Sequence, residues 1–223
     1  FRSGFVSIVG RPNAGKSTLI NRLVGRKIAI TSDRPQTTRR IARGIITTDD
    51  AQIILVDTPG MHRPRTLLGE RLNDQVREAW STVDAIGLCI PADDPIGPGD
   101  RYIAREIIAL GRTPIVAIVT KADRVNNAAL AEQLAAVGAL GEELETEWAA
   151  VVPVSATDGL NIDTLIGILT DLLPEGPKLY PDDEVTDEPV EIAVAELIRE
   201  AALEGVQDEL PHSIAVVIDE MGM

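Results

Sequence analysis

The segment Gly10-Arg11-Pro12-Asn13-Ala14-Gly15-Lys16-Ser17 sits between an apolar run, Phe5 to Val9, and Leu19, Ile20, Leu23 and Val24 at helical spacing. A lysine and a hydroxyl behind two glycines at this spacing can hold phosphate. Glycines let successive backbone N–H groups turn inward around phosphate oxygens, and the helix that follows adds its positive amino end. Lys16 is placed to neutralise β- and γ-phosphates, and Ser17 to bind Mg2+. Asn13, Ala14, Gly15 and Thr18 complete the predicted phosphate contacts. An ordinary glycine-containing turn is the alternative, and the strand-then-helix context argues against it.

Three later segments could act on the same ligand. Val56-Asp57-Thr58-Pro59-Gly60-Met61-His62 ends another apolar run. Asp57 can hold magnesium, through water, and the Gly60 N–H can reach a γ-phosphate. Met61 can neither donate nor accept a proton, so it cannot orient attacking water. His62 beside it reads as a solvated loop histidine. In Thr120-Lys121-Ala122-Asp123, the carboxylate can accept from guanine N1–H and the N2 amino group, two donors that adenine lacks on that edge. The Lys121 stem can lie over the base. A helix cap at Asp123 is the competing reading. In Ser155-Ala156-Thr157, a backbone N–H near Ala156 can donate to guanine O6.

These segments need elements that bring them together. Apolar runs predict strands at Phe5–Val9, Ile41–Thr47, Ala51–Val56, Val83–Ile90, Ile115–Val119 and Val151–Val154. Helical spacing predicts helices at Thr18–Val24, around Leu68, Leu72, Val76 and Trp80, and at Arg101–Leu110, Ala128–Glu147 and Ile162–Leu173. The alternation predicts an α/β fold: a largely parallel sheet wrapped on both faces, with one antiparallel edge strand from the early hairpin. Ligands of such sheets sit at the carboxyl ends of strands, where all four segments fall. Pro174 to Pro189, rich in proline and acid, reads as a linker. A helix from Val190 to Glu204 and a strand from Ser213 to Ile218 follow, too little to enclose a core.

Composition narrows the classes. The 223 residues carry a net charge of −14, split unevenly. Residues 1–65 hold an excess of eight positive charges, and the remainder an excess of 22 negative ones. The basic part suits an anionic ligand, and the acidic part argues against a generic nucleic-acid binder. No apolar run approaches a membrane span, and the first residues lead straight into a strand, which predicts no signal peptide. Cys89, inside an apolar strand, reads as a buried hydrophobe, and a lone cysteine fits a reducing cytoplasm.

Together the four segments resemble the translation-factor-type GTPases, and among them the Era family of bacterial ribosome-assembly GTPases. The stretches that carry the resemblance are GRPNAGKST, ITSDRPQTTRR at Ile30 to Arg40, VDTPG and VSAT, over nearly all of the first 175 residues. Glu196 to Glu200 and Glu209 to Ser213 resemble the start of that family's C-terminal KH domain, which binds the 3′ end of small-subunit ribosomal RNA. The resemblance implies a Ras-like P-loop G domain at 1–175, a linker at 176–189, and the opening of a KH domain at 190–223. It implies GTP and GDP as ligands with Mg2+, held by Ser17, Thr38 and Asp57, and GTP hydrolysis in which Lys16, Thr38, Gly60 and Asn13 take part. Thr37 is the alternative to Thr38. Asn13 is expected to help coordinate K+, or else simply to tolerate the turn. Arg39, Arg40 and Arg43 could touch RNA or simply be solvated, and solvation is the favoured reading. The implied partner is the small ribosomal subunit and its RNA, the implied location cytoplasmic, with peripheral membrane association by analogy alone.

Two departures stand out. Thr120 occupies the place of the family's asparagine and lacks the amide that donates toward guanine N7. No Gly-x-x-Gly loop follows Val190, so RNA clamping through the last domain is expected to be lost or crippled in the chain as it stands. A P-loop phosphotransferase and a nucleotide-dependent scaffold are the competing functions.

Overall fold

The computed structural model describes residues 1–29, 42–57, 76–205 and 216–218. Six strands form one sheet in the order β2-β3-β1-β4-β5-β6. They are β1 (Arg2–Val9), β2 (Ala42–Thr47), β3 (Ala51–Asp57), β4 (Ala85–Pro91), β5 (Ile115–Thr120) and β6 (Ala150–Pro153). β2 pairs antiparallel with β3, and every other pairing is parallel. The expected mostly parallel sheet with one antiparallel edge strand is therefore present. The helices are α1 (Lys16–Val24), α2 (Pro98–Ile108), α3 (Asn127–Glu143), α4 (Ile162–Leu172) and α5 (Val190–Gly205), and residues 76–81 are also helical.

Aliphatic strands buried on both faces explain the near-continuous apolar runs of the sequence. Val6, Ile8, Ile53, Leu55, Val116 and Ile118 face α1 and α4, whose Leu19, Ile20, Leu165 and Leu169 close that side. Val9, Ile86, Leu88, Ile90, Ala117 and Val119 face α2, α3 and Trp80. Two mainly aliphatic layers on one sheet, with Trp80 the one fully buried aromatic among the described residues, position the strand ends.

The helix expected to run to Glu147 stops at Glu143. Glu145 turns left-handed at φ 53°, and the Thr146 N–H returns to Gly141 O at 3.0 Å. Trp148 then packs against Gly141 and donates to Val137 O at 2.9 Å. Of the strand expected at Ser213–Ile218, only 216–218 are described, and these three form no strand.

The segment expected to be a linker is docked as a strap. Ser3 N donates to Pro174 O, and Ser3 Oγ to Pro177 O at 2.6 Å. Gln52, fully buried, holds the middle of the strap. Its Oε1 accepts from Leu179 N (2.7 Å) and Tyr180 N (2.9 Å), and its Nε2 donates to Tyr180 O (2.9 Å). Farther on, Ile45 N donates to Val185 O (2.9 Å) and Thr186 Oγ1 to Arg43 O (2.7 Å). The strap thus starts beside the first residues of β1 and β3 and climbs the outer edge of β2. It ends beside Arg43, which is in register with Val56 at the other end of β3.

Candidate nucleotide-binding site

The loop between β1 and α1 has the backbone its residue types predict. Gly10 sits at φ 153°, where an added Cβ would lie 2.7 Å from Cys89 O, so β4 admits only glycine there. Asn13 (φ 62°) and Gly15 (φ 85°) are left-handed, and asparagine and glycine are the residues that tolerate this best. Gly15 caps α1 with no side-chain bond, so the first N–H groups of the helix have no competing side-chain acceptor at the cap. Lys16, only 8 % exposed, donates from Nζ to Gly10 O (2.9 Å) and Arg11 O (2.8 Å). A positive helix end, an ammonium and inward-curving peptides fit a polyphosphate. Ser17 is half-buried on the first turn of α1, and Thr18 is exposed beside it.

The sheet sets Asp57 next to this loop. Asp57 is the last residue of β3 and pairs with Ile8, two residues before Gly10. A hydroxyl on α1 and a carboxylate at the adjacent strand end make an oxygen donor set that fits Mg2+. Thr37, Thr38, Gly60, Met61 and His62 lie outside the described residues, as do Arg39 and Arg40.

The base-side loops follow β5 and β6. Thr120 ends β5, 3 % exposed, and its Oγ1 donates to Ala14 O at 2.7 Å. Lys121 turns left-handed at φ 58°, and Ala122–Arg124 form a single 3-10 turn. Asp123 is exposed and takes no hydrogen-bond or ionic partner among the described residues. The expected alternative, Asp123 as a helix cap, is not what the chain uses. Asn126 caps α3, accepting from Ala129 N at 2.9 Å. Ala122 N donates to Val154 O (3.1 Å), which ties this loop to the one after β6. There Ser155 is fully buried and its Oγ accepts from Asp158 N (3.0 Å). Ser155 therefore shapes the turn, leaving half-buried Ala156 and exposed Thr157 at its rim. The Ala156 N–H has no partner among the described residues.

A fifth strand end also belongs to the site. After β4, Asp93 pairs with Lys121 Nζ (3.3 Å) and Arg124 Nη1 (3.2 Å). Asp94 pairs with Arg11 of the phosphate loop, which also lies 3.2 Å from buried Asp100. Gln133 of α3 donates to Pro91 O and Asp94 O and holds this connection in place. Its signal in the sequence is Ala92-Asp93-Asp94, an acidic pair at the one strand end that the four-segment pattern leaves out.

Arg43 is exposed, as the favoured reading has it, and also pairs with Asp187 of the strap at 2.7 Å. Tyr180 OH donates to the same carboxylate at 3.0 Å. The Asp187 hydrogen bond raises the Arg43 pKa. Burial, then the bond to Asp187, raises that of Tyr180.

Comparison with known proteins places the site in context. A family model described as "50S ribosome-binding GTPase" matches residues 5–121. The GTPase Era of Streptomyces coelicolor is 64% identical over 220 residues, covering 99% of this chain and 69% of that protein. The GTPase Era of Mycobacterium tuberculosis is 62% identical over 223 residues, covering 99% and 73%. Among solved structures, Era in complex with MgGDPNP and nucleotides 1506–1542 of 16S ribosomal RNA matches with a TM-score of 0.90 at 34% identity, over 99% of this chain and 73% of that one. An Aquifex aeolicus Era variant bound to GDP.AlF4- matches with a TM-score of 0.89 at 34% identity, over the same shares.

Proposed function

The chain belongs to the Era family of GTPases, and from that premise we propose that it is a Mg2+-dependent guanine-nucleotide switch coupled to small-subunit ribosomal RNA. The observation that carries the reading is the meeting of the loops. Thr120 Oγ1 on Ala14 O joins the base loop to the phosphate loop, and Ala122 N on Val154 O joins both to the loop after β6.

In this reading Asn13, Ala14, Gly15, Lys16, Ser17 and Thr18 bind the phosphates. Asp123 accepts from guanine N1–H and N2–H, Lys121 covers the base, and the Ala156 N–H donates to O6. Ser17, Asp57 and Thr38 hold Mg2+, whose charge neutralises the β- and γ-phosphates. Thr38 and Gly60 sense the γ-phosphate, and hydrolysis releases them. With Met61 where a water-orienting residue stands in Ras-like enzymes, charge compensation falls to Asn13 and a K+ ion, or to a partner.

The structural relative crystallised with 16S ribosomal RNA, alike over 99% of this chain, supports small-subunit RNA as the partner in preference to the 50S subunit that the family model's description names. The domains are 1–175 for nucleotide, 176–189 for the strap and 190–223 as the start of the RNA-binding part. A route between them is available. Arg43 lies just beyond Gln36–Arg40, the first switch loop by the family resemblance, and Asp187, its partner, lies three residues before α5. No helix among the described residues is long and apolar enough to cross a membrane, and we place the protein in the cytoplasm.

Single-turnover GTP hydrolysis, with and without small ribosomal subunits and in K+ against Na+ buffer, tests the scheme. Subunits should raise turnover, and K+ should raise it only while Asn13 is present. Equal rates in both salts for wild type and Asn13→Ala remove the K+ role. ADP competing as well as GDP removes the guanine assignment.

A further inference from the structure

The hydroxyl of Thr120 is already committed. A threonine side chain has one O–H to donate. At 2.7 Å from Ala14 O, in a position 3 % exposed, that proton is spent on the phosphate loop. Guanine N7 is an acceptor, and a hydroxyl with its only proton engaged elsewhere has nothing to offer it. An asparagine amide has two N–H donors and can serve both acceptors.

The bond has a consequence for the phosphate loop. Ala14 is fully buried and lies between two left-handed residues, Asn13 and Gly15. In a trans peptide the carbonyl and the next N–H point in opposite directions. Holding Ala14 O toward Thr120 therefore fixes the Gly15 N–H facing the other way, on the side where the loop encloses phosphate. Gly15 itself is called for by its φ of 85°; an added Cβ would meet Thr120 only at an ordinary contact distance of 3.5 Å.

We propose that Thr120 is a positioning residue: it braces the phosphate loop through Ala14 and does not read the base, so this protein recognises guanine nucleotides without a contact to N7. The proposal rests on the guanine-nucleotide reading above. Selectivity then comes from the N1, N2 and O6 edge, through Asp123 and Ala156. Nucleotides whose N7 is replaced by C–H become ligands as good as the natural ones.

The test compares GDP with 7-deaza-GDP, which carries C–H in place of N7 and keeps the other recognition groups. Affinities are measured by calorimetry on the whole chain with Mg2+. Wild type should bind the two within about twofold of one another. Thr120→Val, of similar shape but lacking the hydroxyl, should weaken both equally, by about threefold to tenfold, the worth of one hydrogen bond. Thr120→Ser should restore both. Thr120→Asn should favour GDP over 7-deaza-GDP by a similar factor. Wild type that binds GDP but discriminates against 7-deaza-GDP by about fivefold or more, on the same scale, overturns the proposal whatever the variants do. So does a Thr120→Val protein, folded by its thermal transition, that binds both nucleotides as wild type does. Wild type that binds neither nucleotide refutes the guanine reading itself.

Discussion

Gln52→Leu removes the middle anchor of the strap with little change in side-chain volume. The amide of Gln52 makes three hydrogen bonds to Leu179 and Tyr180 and a fourth to Thr47 Oγ1. Each intramolecular bond contributes about 1 kcal/mol net, so the three to the strap are worth about 3 kcal/mol. Leu179 is 45% exposed and Tyr180 half-buried, so part of their backbone can turn to water when released. About 2 kcal/mol then remains, which raises the local opening constant roughly 30-fold. Amide hydrogen exchange at Leu179 and Tyr180 reads this opening directly, while exchange in β4 and β5 reports the global fold. The expected result is faster exchange at the two strap amides with core protection kept. Unchanged protection at both would refute the reasoning, and would mean that the contacts at Ser3, Arg43 and Ile45 suffice to hold the strap.

Gly10→Ala would set a Cβ 2.7 Å from Cys89 O at a φ of 153°; we expect roughly 1–3 kcal/mol of destabilisation, seen in urea unfolding, and a lower GDP affinity. Asp123→Asn exchanges an acceptor for a donor, so xanthine nucleotides, with a carbonyl at C2, should bind better than guanine ones in a competition assay. Tyr180 has a pKa raised above its ordinary 10.0, chiefly by burial. Its contribution to strap docking is therefore complete below about pH 10 and lost as pH rises through the raised value. Proteolysis of the strap should accelerate over that range in wild type, and Tyr180→Phe should remove this part of the pH dependence.

Much of the site is legible in the sequence because strand ends gather ligands. An apolar run followed by Gly10 to Ser17 needs little tertiary knowledge, and the same holds for Asp57 and for Thr120 to Asp123. Helix ends are harder to read. Glu143 ends α3 because Gly141 leaves room for Trp148 and Glu145 turns left-handed, and neither shows in apolar periodicity. The strap reads as a free linker for a related reason. Proline and acid predict loop, yet whether a loop is docked depends on distant groups such as Gln52, 127 positions before Leu179. Asp93 and Asp94 do not stand out because surface acids usually carry no such role, and only the fold brings Lys121 and Arg11 to them.

The strap has a protective consequence as well. A strand at the margin of a sheet offers unpaired N–H and C=O groups on which another chain can align. Val185 and Thr186 occupy such groups on Ile45 and Arg43. A version cut after residue 175 would keep the whole six-stranded sheet and lose this cover. Its β2 would then be an open template for self-association, so the shorter protein should aggregate more readily although its core is intact.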